Sequence, residues 1–419
     1  MKFVHAADIH LDSPLHGLAR YPGAPVEEIR AATRRAFENL VALCADEQAA
    51  FLVLAGDLYD GDWRDFGTGL FFAAQMARLR EHGVRVFVVR GNHDAASRIT
   101  KSLRLPDNVH TFASRRPETQ VLEEFGVALH GQSFARRDVT ENLAADYPPP
   151  LAGLVNIGVL HTSADGRPGH ATYAPCRVPD LVARGYDYWA LGHVHAREVL
   201  HEDPWVVFPG NLQGRHARET GAKGCTVVTV EHGRIRAVEA RSLDVVRWLV
   251  VEVDASGCAT PVDALERLDG AIRSALAPAD GRVCALRVRV SGRCAAHAAL
   301  LNRREGWGAD ARALATDLGA GLAWVEKVVL DTAPAVDWHE LTQQSGPIAE
   351  LVRDIESLRA DDARLGALGA TFEDLKSKLP AELREGDGAL TFDPAQLRAL
   401  LSDAASLLLP RLLGADDET

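Results

Sequence analysis

The stretch Phe51-Leu52-Val53-Leu54-Ala55-Gly56-Asp57-Leu58-Tyr59-Asp60 shows the pattern that decides the fold of the first half of this chain. Five successive apolar residues are typical of a strand buried on both faces, and the glycine and carboxylates after them mark its end. Just before this strand, one apolar face at helical spacing is formed by Phe37, Leu40, Val41 and Cys44. Strands that alternate with helices in this way predict a layered α/β fold.

Similar apolar runs recur along the chain and are predicted as strands. Before residue 245 they cover residues 2–6, 51–55, 84–89, 154–160, 186–191, 205–208 and 225–230. After residue 247, runs at 248–253, 283–290 and 322–329 flank two Ala-rich helical stretches, which predicts a small β-α-β-α-β unit. Residues 331–335 are predicted to be a linker, and two apolar stripes at helical spacing follow it. The stripes are Ile348, Leu351, Val352, Ile355 and Leu358, and Leu397, Leu400, Leu401, Ala404 and Leu408.

The composition is typical of a globular protein, with 47% hydrophobic and 25% charged residues among 419. At roughly 150 residues per domain, this length predicts two or three domains. No apolar run approaches the roughly 18 residues of a membrane span, and the first residues lack the apolar core of a signal peptide. The six cysteines form no Cys-x-x-Cys pair, so neither a disulfide framework nor a zinc ribbon is expected. We therefore expect a reduced, cytoplasmic protein with no membrane segment.

The net charge of −12 is distributed unevenly along the chain. Residues 336–419 hold 8 Lys+Arg against 17 Asp+Glu, so −9 of the total lies in this last segment. The rest of the chain is close to neutral, and its composition does not exclude a polyanionic substrate. The two apolar stripes of this segment are most simply the core of a small helical domain, or else they are buried on another chain. The acidic remaining faces would repel DNA, which favours a protein partner over nucleic acid.

Five short clusters of Asp, Asn and His directly follow predicted strands. They are Asp8-Ile9-His10, Gly56-Asp57-Leu58-Tyr59-Asp60, Gly91-Asn92-His93-Asp94, His161-Thr162 and Gly192-His193-Val194-His195. The loops beyond the carboxyl ends of the strands form the ligand crevice of an α/β sheet, so we expect these clusters to converge. Carboxylate, amide and imidazole ligands without a thiolate suit ions such as Mn, Fe or Zn.

Such a cluster suits phosphodiester hydrolysis. Two ions roughly 3.5–4 Å apart can activate a water molecule and neutralise charge on the transition state. Seven side chains are candidate ligands: Asp8, His10, Asp57, Asn92, His161, His193 and His195. His93 is left as a candidate general acid, with Asp94 beside it to orient the ring.

The order of these motifs resembles that of the calcineurin-like metallophosphoesterases, over roughly residues 1–245. Within that superfamily the chain is similar to the DNA repair exonucleases of the SbcD type, and most to the bacterial YhaO-like branch. The additional similarity lies in residues 160–163, 186–195, 208–216 and 218–224. The resemblance implies a four-layer metallophosphoesterase β-sandwich flanked by helices at 1–246, a small α/β cap at 247–335 and a helical C-terminal segment at 336–419.

The resemblance also implies roles for the site residues. One ion would be held by Asp8, His10, Asp57 and His195. The other would be held by Asp57, Asn92, His161 and His193, and His93 would protonate the leaving oxygen. Some repair nucleases of this kind have a histidine where this chain has Asp60, which is expected to accept a hydrogen bond from a ligand instead. The cap would touch DNA, and the helical segment would dock on a coiled-coil ATPase of the SbcC kind.

The remaining expectations concern the metal, the substrate and alternative functions. The expected cofactor is two Mn²⁺ ions, because Mg²⁺ prefers oxygen ligands. Trp63 could stack on a base, and Arg215 and His216 in a Gly-rich basic loop could meet the DNA backbone. A packed aromatic at the rim and a plain solvated loop are the respective alternatives. A phosphoesterase for nucleotides, cyclic nucleotides or phosphoproteins, a non-catalytic DNA-binding scaffold, and a homodimer all stay open.

Overall fold

The computed structural model describes residues 1–13, 25–60, 66–96, 104–166, 172–335, 338–343, 345–379 and 390–414. The chain divides into two compact units. The first comprises residues 1–250, 277–287 and 321–326, and the second comprises 251–276, 288–320 and 327–419. Among the described residues, no helix combines the length and the apolar character that crossing a membrane requires.

The elements are numbered here in chain order. The strands are β1 (Lys2–Ala6), β2 (Phe51–Ala55), β3 (Arg85–Val89), β4 (Val109–Thr111), β5 (Glu118–Leu122), β6 (Val127–Gly131), β7 (Val155–His161), β8 (Tyr188–Gly192), β9 (Glu198–Glu202), β10 (Trp205–Phe208), β11 (Gly224–Glu231), β12 (Arg234–Ser242), β13 (Val246–Asp254), β14 (Val283–Cys294) and β15 (Ala323–Pro334). The helices are α1 (Val26–Asp46), α2 (Phe66–Glu81), α3 (Asn92–Ala96), α4 (Val178–Val182), α5 (Pro261–Leu276), α6 (His297–Asn302), α7 (Arg304–Leu318), α8 (Trp338–Gln343), α9 (Pro347–Arg359), α10 (Asp362–Ala370), α11 (Glu373–Lys378) and α12 (Pro394–Gly414). Short 3-10 helices cover Glu123–Phe125, Leu143–Asp146 and Ala277–Ala279.

Two six-stranded sheets belong to the first unit. The first has the order β12-β11-β1-β2-β3-β4, in which β1 to β4 are parallel and β11 and β12 are antiparallel to their neighbours. The second has the order β5-β6-β7-β8-β10-β9, with β6, β7, β8 and β10 parallel and an antiparallel strand at each edge. The strands that precede the polar clusters are thus neighbours: β1, β2 and β3 in one sheet, β7 and β8 in the other.

Strand β2 shows how the two sheets are joined. Phe51 and Val53 lie in the core between the sheets, together with Tyr188 of β8. Leu52 and Leu54 point the other way, into a core that is covered by helices. Because successive side chains point to opposite faces and both faces are buried, the strand is apolar throughout.

Helices cover the outer faces of both sheets. The face of α1 that was predicted from its spacing is buried against the first sheet: Phe37, Leu40, Val41 and Cys44. On the second sheet, Leu181 of α4 and Ala144 of a 3-10 helix join a core with Trp189. The layers are therefore helix, sheet, sheet and helix, and the predicted fold class is confirmed.

The three strands after residue 245 form a third sheet in the order β13-β14-β15. The predicted β-α-β-α-β order is observed, except that two helices, α6 and α7, lie between β14 and β15. The predicted linker at 331–335 is wrong, because β15 continues through Pro334. This strand lies at the edge of its sheet, where a residue without an N–H is tolerated.

Most of the described residues after 337 are helical as predicted, but the buried side of α12 differs from the predicted stripe. Helices α8, α9 and α12 share a core of Leu341, Val352 and Leu409. On α12, Leu400 and Leu408 are 39% and 44% exposed. Among the side chains of this helix that the structure describes, those that are buried are Leu397, Ala405 and Leu409.

The strands that the sequence pattern missed are β4, β5, β6, β9 and β12. Four of them lie at the sheet edges. Edge strands carry charged and half-exposed side chains, as in β9 and β12, so they lack the continuous apolar run of a central strand. The division into three domains at residues 246 and 335 stays a prediction.

Candidate functional site

The five polar clusters meet where the carboxyl ends of the two sheets come together in the first unit. The amide of Asp8 donates to the carbonyl of Gly56 at 3.0 Å, and the amide of His10 donates to that of Asp57 at 3.0 Å. Across the sandwich, Nδ1 of His161 lies 3.0 Å from the carbonyl oxygen of Ala55. The expected convergence of the clusters is therefore present in the structure.

The backbone of the clusters is strained. Asp8, His10, Asp57 and His193 all have positive φ angles, of 53°, 48°, 54° and 107°. Side-chain-bearing residues rarely adopt such angles, which cost of the order of 1–3 kcal/mol each. Four candidate ligands thus have positive φ angles, and backbone strain of this kind clusters at functional sites.

Two glycines let the loops approach one another closely. A Cβ on Gly91 would lie 2.3 Å from Oδ1 of Asp57. A Cβ on Gly56, whose φ is +101°, would lie 2.3 Å from Nδ1 of His161. No side chain fits at either position, which explains why glycine precedes Asp57 and Asn92.

Asp8, His10 and His195 form the first group of candidate ligands. Their ligand atoms all lie within 4.8 Å of one another. Nε2 of His10 is 3.3 Å from Nε2 of His195, and the latter is 3.9 Å from Oδ1 of Asp8. Burial, and next the charge of Arg215, lower the pKa of His10 to about 4, so this ring is neutral and able to bind a cation.

Asp57, His161 and His193 form the second group, again within 4.8 Å. Nε2 of His161 lies 3.0 Å from Oδ1 of Asn92 and 3.5 Å from Oδ2 of Asp57. Its Nδ1 faces the carbonyl of Ala55, which can only accept a hydrogen bond. This ring is therefore surrounded by oxygen acceptors on both nitrogens.

The two groups fit divalent cations. Burial alone would lower the pKa of His161, but the charge of Asp57, its hydrogen bond to the ring and the charge of Asp8 together outweigh burial and raise it to about 9. Burial would likewise raise the pKa of Asp57, yet the facing His161 holds it well below its usual range. The pocket therefore favours positive charge between the oxygens and the ring nitrogens. Asp57, Asn92, His161 and His193 could hold one ion there, and Asp8, His10 and His195 another, with Asp57 close to both.

His93 pairs with Asp60. Its Nδ1 lies 3.0 Å from Oδ1 of Asp60, and its side chain is 31% exposed. Burial opposes protonation of His93, but the hydrogen bond to Asp60 and the charge of Asp57 raise its pKa. Asp60 also accepts from Oγ of Ser13 at 2.6 Å and lies 3.6 Å from Nδ1 of His10.

The expectation that Asp94 orients His93 needs correction. The carboxylate of Asp94 accepts hydrogen bonds from the backbone amides of Leu58, Tyr59 and Gly91, at 2.9, 3.1 and 3.0 Å. Burial, and next the charge of Asp57, raise its pKa to about 7. Asp94 therefore ties together the loops after β2 and β3, and the carboxylate at the side chain of His93 is Asp60.

The basic loop after β10 is directed partly inward. The guanidinium of Arg215 lies 3.6 Å from Asp60 and 3.2 Å from Glu219, and its side chain is only 14% exposed. His216 is exposed on the outside, whereas Lys223 is buried and donates to the carbonyl of His195 at 2.8 Å. Trp63, the third predicted substrate-binding residue, lies outside the described residues.

Sequence reasoning missed Glu219. Its Oε1 lies 2.7 Å from Nδ1 of His195, and its side chain is 6% exposed. Burial would raise its pKa, but the hydrogen bond to His195 and the charge of Arg215 hold it well below its usual range. The available signal was one acid within a basic, Gly-rich stretch, but which histidine it meets depends on the loop conformation.

Two family models match the chain. Residues 1–197 match the model described as calcineurin-like phosphoesterase. Residues 248–333 match the model described as metallophosphoesterase YhaO, middle domain. The first match ends just after His195 and covers all five polar clusters.

Curated relatives and solved structures with similarity were also found. The chain is 40% identical over 258 residues to the metallophosphoesterase YhaO of Bacillus subtilis (strain 168), which covers 61% of this chain and 63% of that protein. It is 29% identical over 233 residues to the DNA double-strand break repair protein Mre11 of Methanopyrus kandleri, which covers 50% of this chain and 48% of that protein. The chain thus spans less than two thirds of either relative. A dimetal phosphatase from Danio rerio aligns with 58% of this chain and 96% of its own, at 11% identity and a TM-score of 0.34.

The chain contains a calcineurin-like metallophosphoesterase domain at residues 1–197. Its domain is that of a metal-dependent phosphoesterase with a site for two divalent ions. The match of residues 248–333 to the YhaO middle domain and the 40% identity to YhaO support the YhaO/SbcD type within that family.

Proposed function

We propose that this chain is a two-metal DNA nuclease that hydrolyses phosphodiesters in DNA end processing and repair. The observation that carries the proposal is the pair His93–Asp60, which faces the two ligand groups at a partly exposed position. The similarity to Mre11, named as a double-strand break repair protein, supports DNA as the substrate. The proposed ions are Mn²⁺, and the proposed location is the cytoplasm, in keeping with the six cysteines, which are all buried and unpaired.

Two bound divalent ions would supply an activated water molecule and neutralise charge on the phosphodiester. The protein's own part is proton transfer and orientation. Asp60 accepts from Nδ1 of His93, so the other ring nitrogen, Nε2, is left to give its proton to the leaving oxygen. The raised pKa of His93 keeps that proton available near neutral pH.

Arg215 is the proposed contact for a DNA phosphate. Its guanidinium lies beside Asp60 at the edge of the site, and a phosphate arriving there would gain a charge-assisted hydrogen bond. His216, exposed in the same loop, would contact the backbone further out. The substrate role of Trp63 stays a prediction.

The proposed protein partner is a coiled-coil ATPase of the SbcC kind, docked on the C-terminal helices. The support is a stripe of exposed apolar residues along α12, one every fourth position: Leu400, Ala404, Leu408 and Leu412. Such a stripe on a helix surface is typical of a protein-binding face.

A substrate panel tests the proposed function. The wild-type chain with Mn²⁺ should cleave duplex oligonucleotides with defined ends and bis-p-nitrophenyl phosphate, a diester, faster than p-nitrophenyl phosphate or nucleotides. The His93→Ala variant, purified in the same way, controls for contaminating nucleases. Rapid hydrolysis of monoesters or nucleotides without DNA cleavage would favour the small-substrate phosphoesterase. DNA binding with no hydrolysis of any substrate would favour the scaffold subunit.

A further inference from the structure

Glu219 gathers hydrogen bonds from several parts of the loop that follows the Gly-His-Val-His cluster. Oε1 lies 2.7 Å from Nδ1 of His195 and accepts from the guanidinium of Arg215 at 3.2 Å. Oε2 accepts from the backbone amide of Arg215 at 2.7 Å and from Nδ2 of Asn211 at 3.0 Å. Both oxygens of a buried carboxylate are therefore engaged, and one of them holds a candidate metal ligand.

The same loop is connected to the first strand of the site. Asn211 is fully buried and forms a bridge with Ala7, the residue before Asp8. Its backbone amide donates to the carbonyl of His195 at 3.3 Å, and Nζ of Lys223 donates to the same carbonyl at 2.8 Å. The backbone carbonyl of His195 thus accepts two hydrogen bonds, while Glu219 holds the ring.

The contact with Glu219 decides which nitrogen of His195 carries the proton. An ionised carboxylate can only accept, so Nδ1 must be the protonated nitrogen. Nε2 then presents its lone pair towards Nε2 of His10, at 3.3 Å, and Oδ1 of Asp8, at 3.9 Å. A carboxylate behind a ligating histidine in this way fixes the ring and raises its basicity.

We propose that Glu219 is a positioning residue for the first of the two metal sites, acting through His195. The inference rests on the proposal that His195 is a metal ligand. Arg215, which contacts both Glu219 and Asp60, joins this carboxylate to the one that holds His93. The geometry thus assigns Glu219 to one ion only, because the second group, Asp57, His161 and His193, is held by other contacts.

Metal binding tests this inference without any need for activity. Calorimetric titration of the metal-free full chain with Mn²⁺ should resolve two sites. Glu219→Gln keeps the volume of the side chain. Both oxygens of Glu219 accept from N–H groups, so the NH₂ group of a glutamine would face a donor and could not accept its hydrogen bond. We expect one of the two sites to weaken by roughly 10–100-fold, as is usual when such a partner is lost, while the other changes little. Glu219→Ala should weaken the same site at least as much.

Glu326→Gln is the matched control. Glu326 is 5% exposed, lies in the same unit and pairs with Arg287 at 2.7 Å. This variant should keep wild-type affinity at both sites, even if its unfolding temperature without metal falls. Wild-type affinity at both sites in Glu219→Gln would overturn the inference, as would equal weakening of both sites. A wild-type chain that binds two ions but cleaves no DNA would refute the proposed function. The metal affinities of Glu219→Gln would still test the positioning role in that case.

Discussion

Three histidines of the site share one arrangement at the scale of the single residue. Nδ1 of His161 faces the carbonyl of Ala55, that of His195 faces Glu219, and that of His93 faces Asp60. In each ring the acceptor places the proton on Nδ1 and leaves Nε2 for chemistry. In the proposed function, two of these nitrogens would bind metal and the third would protonate the leaving group, so the same arrangement would support two different roles.

Replacing His93 separates metal binding from chemistry. We expect His93→Ala to retain two bound ions and DNA affinity but to lose about 10²–10⁴-fold in hydrolysis rate, because general acid catalysis is commonly worth that much. Elemental analysis and single-turnover cleavage measure the two effects. Asp57→Ala is the contrasting variant and should lose bound metal. If His93→Ala lost its metal as well, His93 would be a ligand rather than the acid.

The ligand types predict the response to metal. Four of the seven candidate ligands are imidazoles, and we expect this mixed nitrogen and oxygen set to bind Mn²⁺ well enough for catalysis, whereas Mg²⁺ prefers oxygen ligands and keeps its waters. After removal of all metal by a chelator, Mn²⁺ should restore phosphodiesterase activity and Mg²⁺ alone should restore little. Equal activity in Mg²⁺ that is free of Mn²⁺ would contradict this ligand assignment.

At the scale of the element, the loops after β2 and β3 are joined by hydrogen bonds. Asp94 accepts amide hydrogen bonds from both loops, and Oδ1 of Asp57 accepts from the backbone amide of His93 at 3.0 Å. The short helix α3 begins at Asn92, so the helix start and the candidate ligand coincide. Asp57 is therefore positioned in part by the loop that carries Asn92 and His93.

A single added methyl group should disrupt this pair of loops. In Gly91→Ala, the new Cβ would lie 2.3 Å from Oδ1 of Asp57 and 2.9 Å from its backbone nitrogen, so the carboxylate must move. We expect loss of at least one bound ion, measured by elemental analysis, with circular dichroism unchanged. Gly270→Ala in α5 is the control, because a Cβ there meets nothing within 4 Å. That variant should keep its metal and gain up to about 1 kcal/mol from helix propensity. Full metal content in Gly91→Ala would show that the loops can move apart without the loss of a bound ion.

At the scale of the whole molecule, charge and chemistry are separated along the chain. The candidate ligands and His93 all precede residue 196, whereas the acidic excess lies after residue 335. The C-terminal helices have a small core around Leu341, Val352 and Leu409, and α12 keeps an exposed apolar stripe on another side. Substitutions in this stripe therefore change none of the candidate ligands and none of the core residues around Val352.

The partner proposal is tested on that stripe. In the double variant Leu400→Glu/Leu408→Glu, both replaced side chains are substantially exposed, so the fold and metal content should be retained. We expect the affinity for the ATPase, measured by co-purification and titration, to fall by at least tenfold, because two charges would enter an apolar interface. Leu70→Glu on α2, at a leucine 66% exposed, is the control and should bind the ATPase normally. Undiminished binding by the double variant would contradict docking on α12 and make residues 247–335 the better candidate for the docking surface.

The sequence pattern alone indicated a layered α/β fold and the places where polar residues follow strands, and the family resemblance added the four-layer sandwich. Central strands such as β2 are apolar on both faces. The glycine and carboxylates that follow β2 are likewise local features of the sequence. The family of the chain was also evident from the order of those motifs. What could be predicted is what depends on neighbours in the chain.

Only the tertiary structure decided which side chains face one another. Asp94 is the neighbour of His93 in sequence, yet Asp60, 33 positions earlier, reaches its ring, and Glu219 reaches His195 across 24 positions. The edge strands and the buried side of α12 could not be predicted from the sequence pattern either. The physical reason is that these contacts follow from how loops cross between two sheets and how helices pack. Spacing along the chain fixes neither, because a loop may turn its side chains to any partner that can complete their hydrogen bonds.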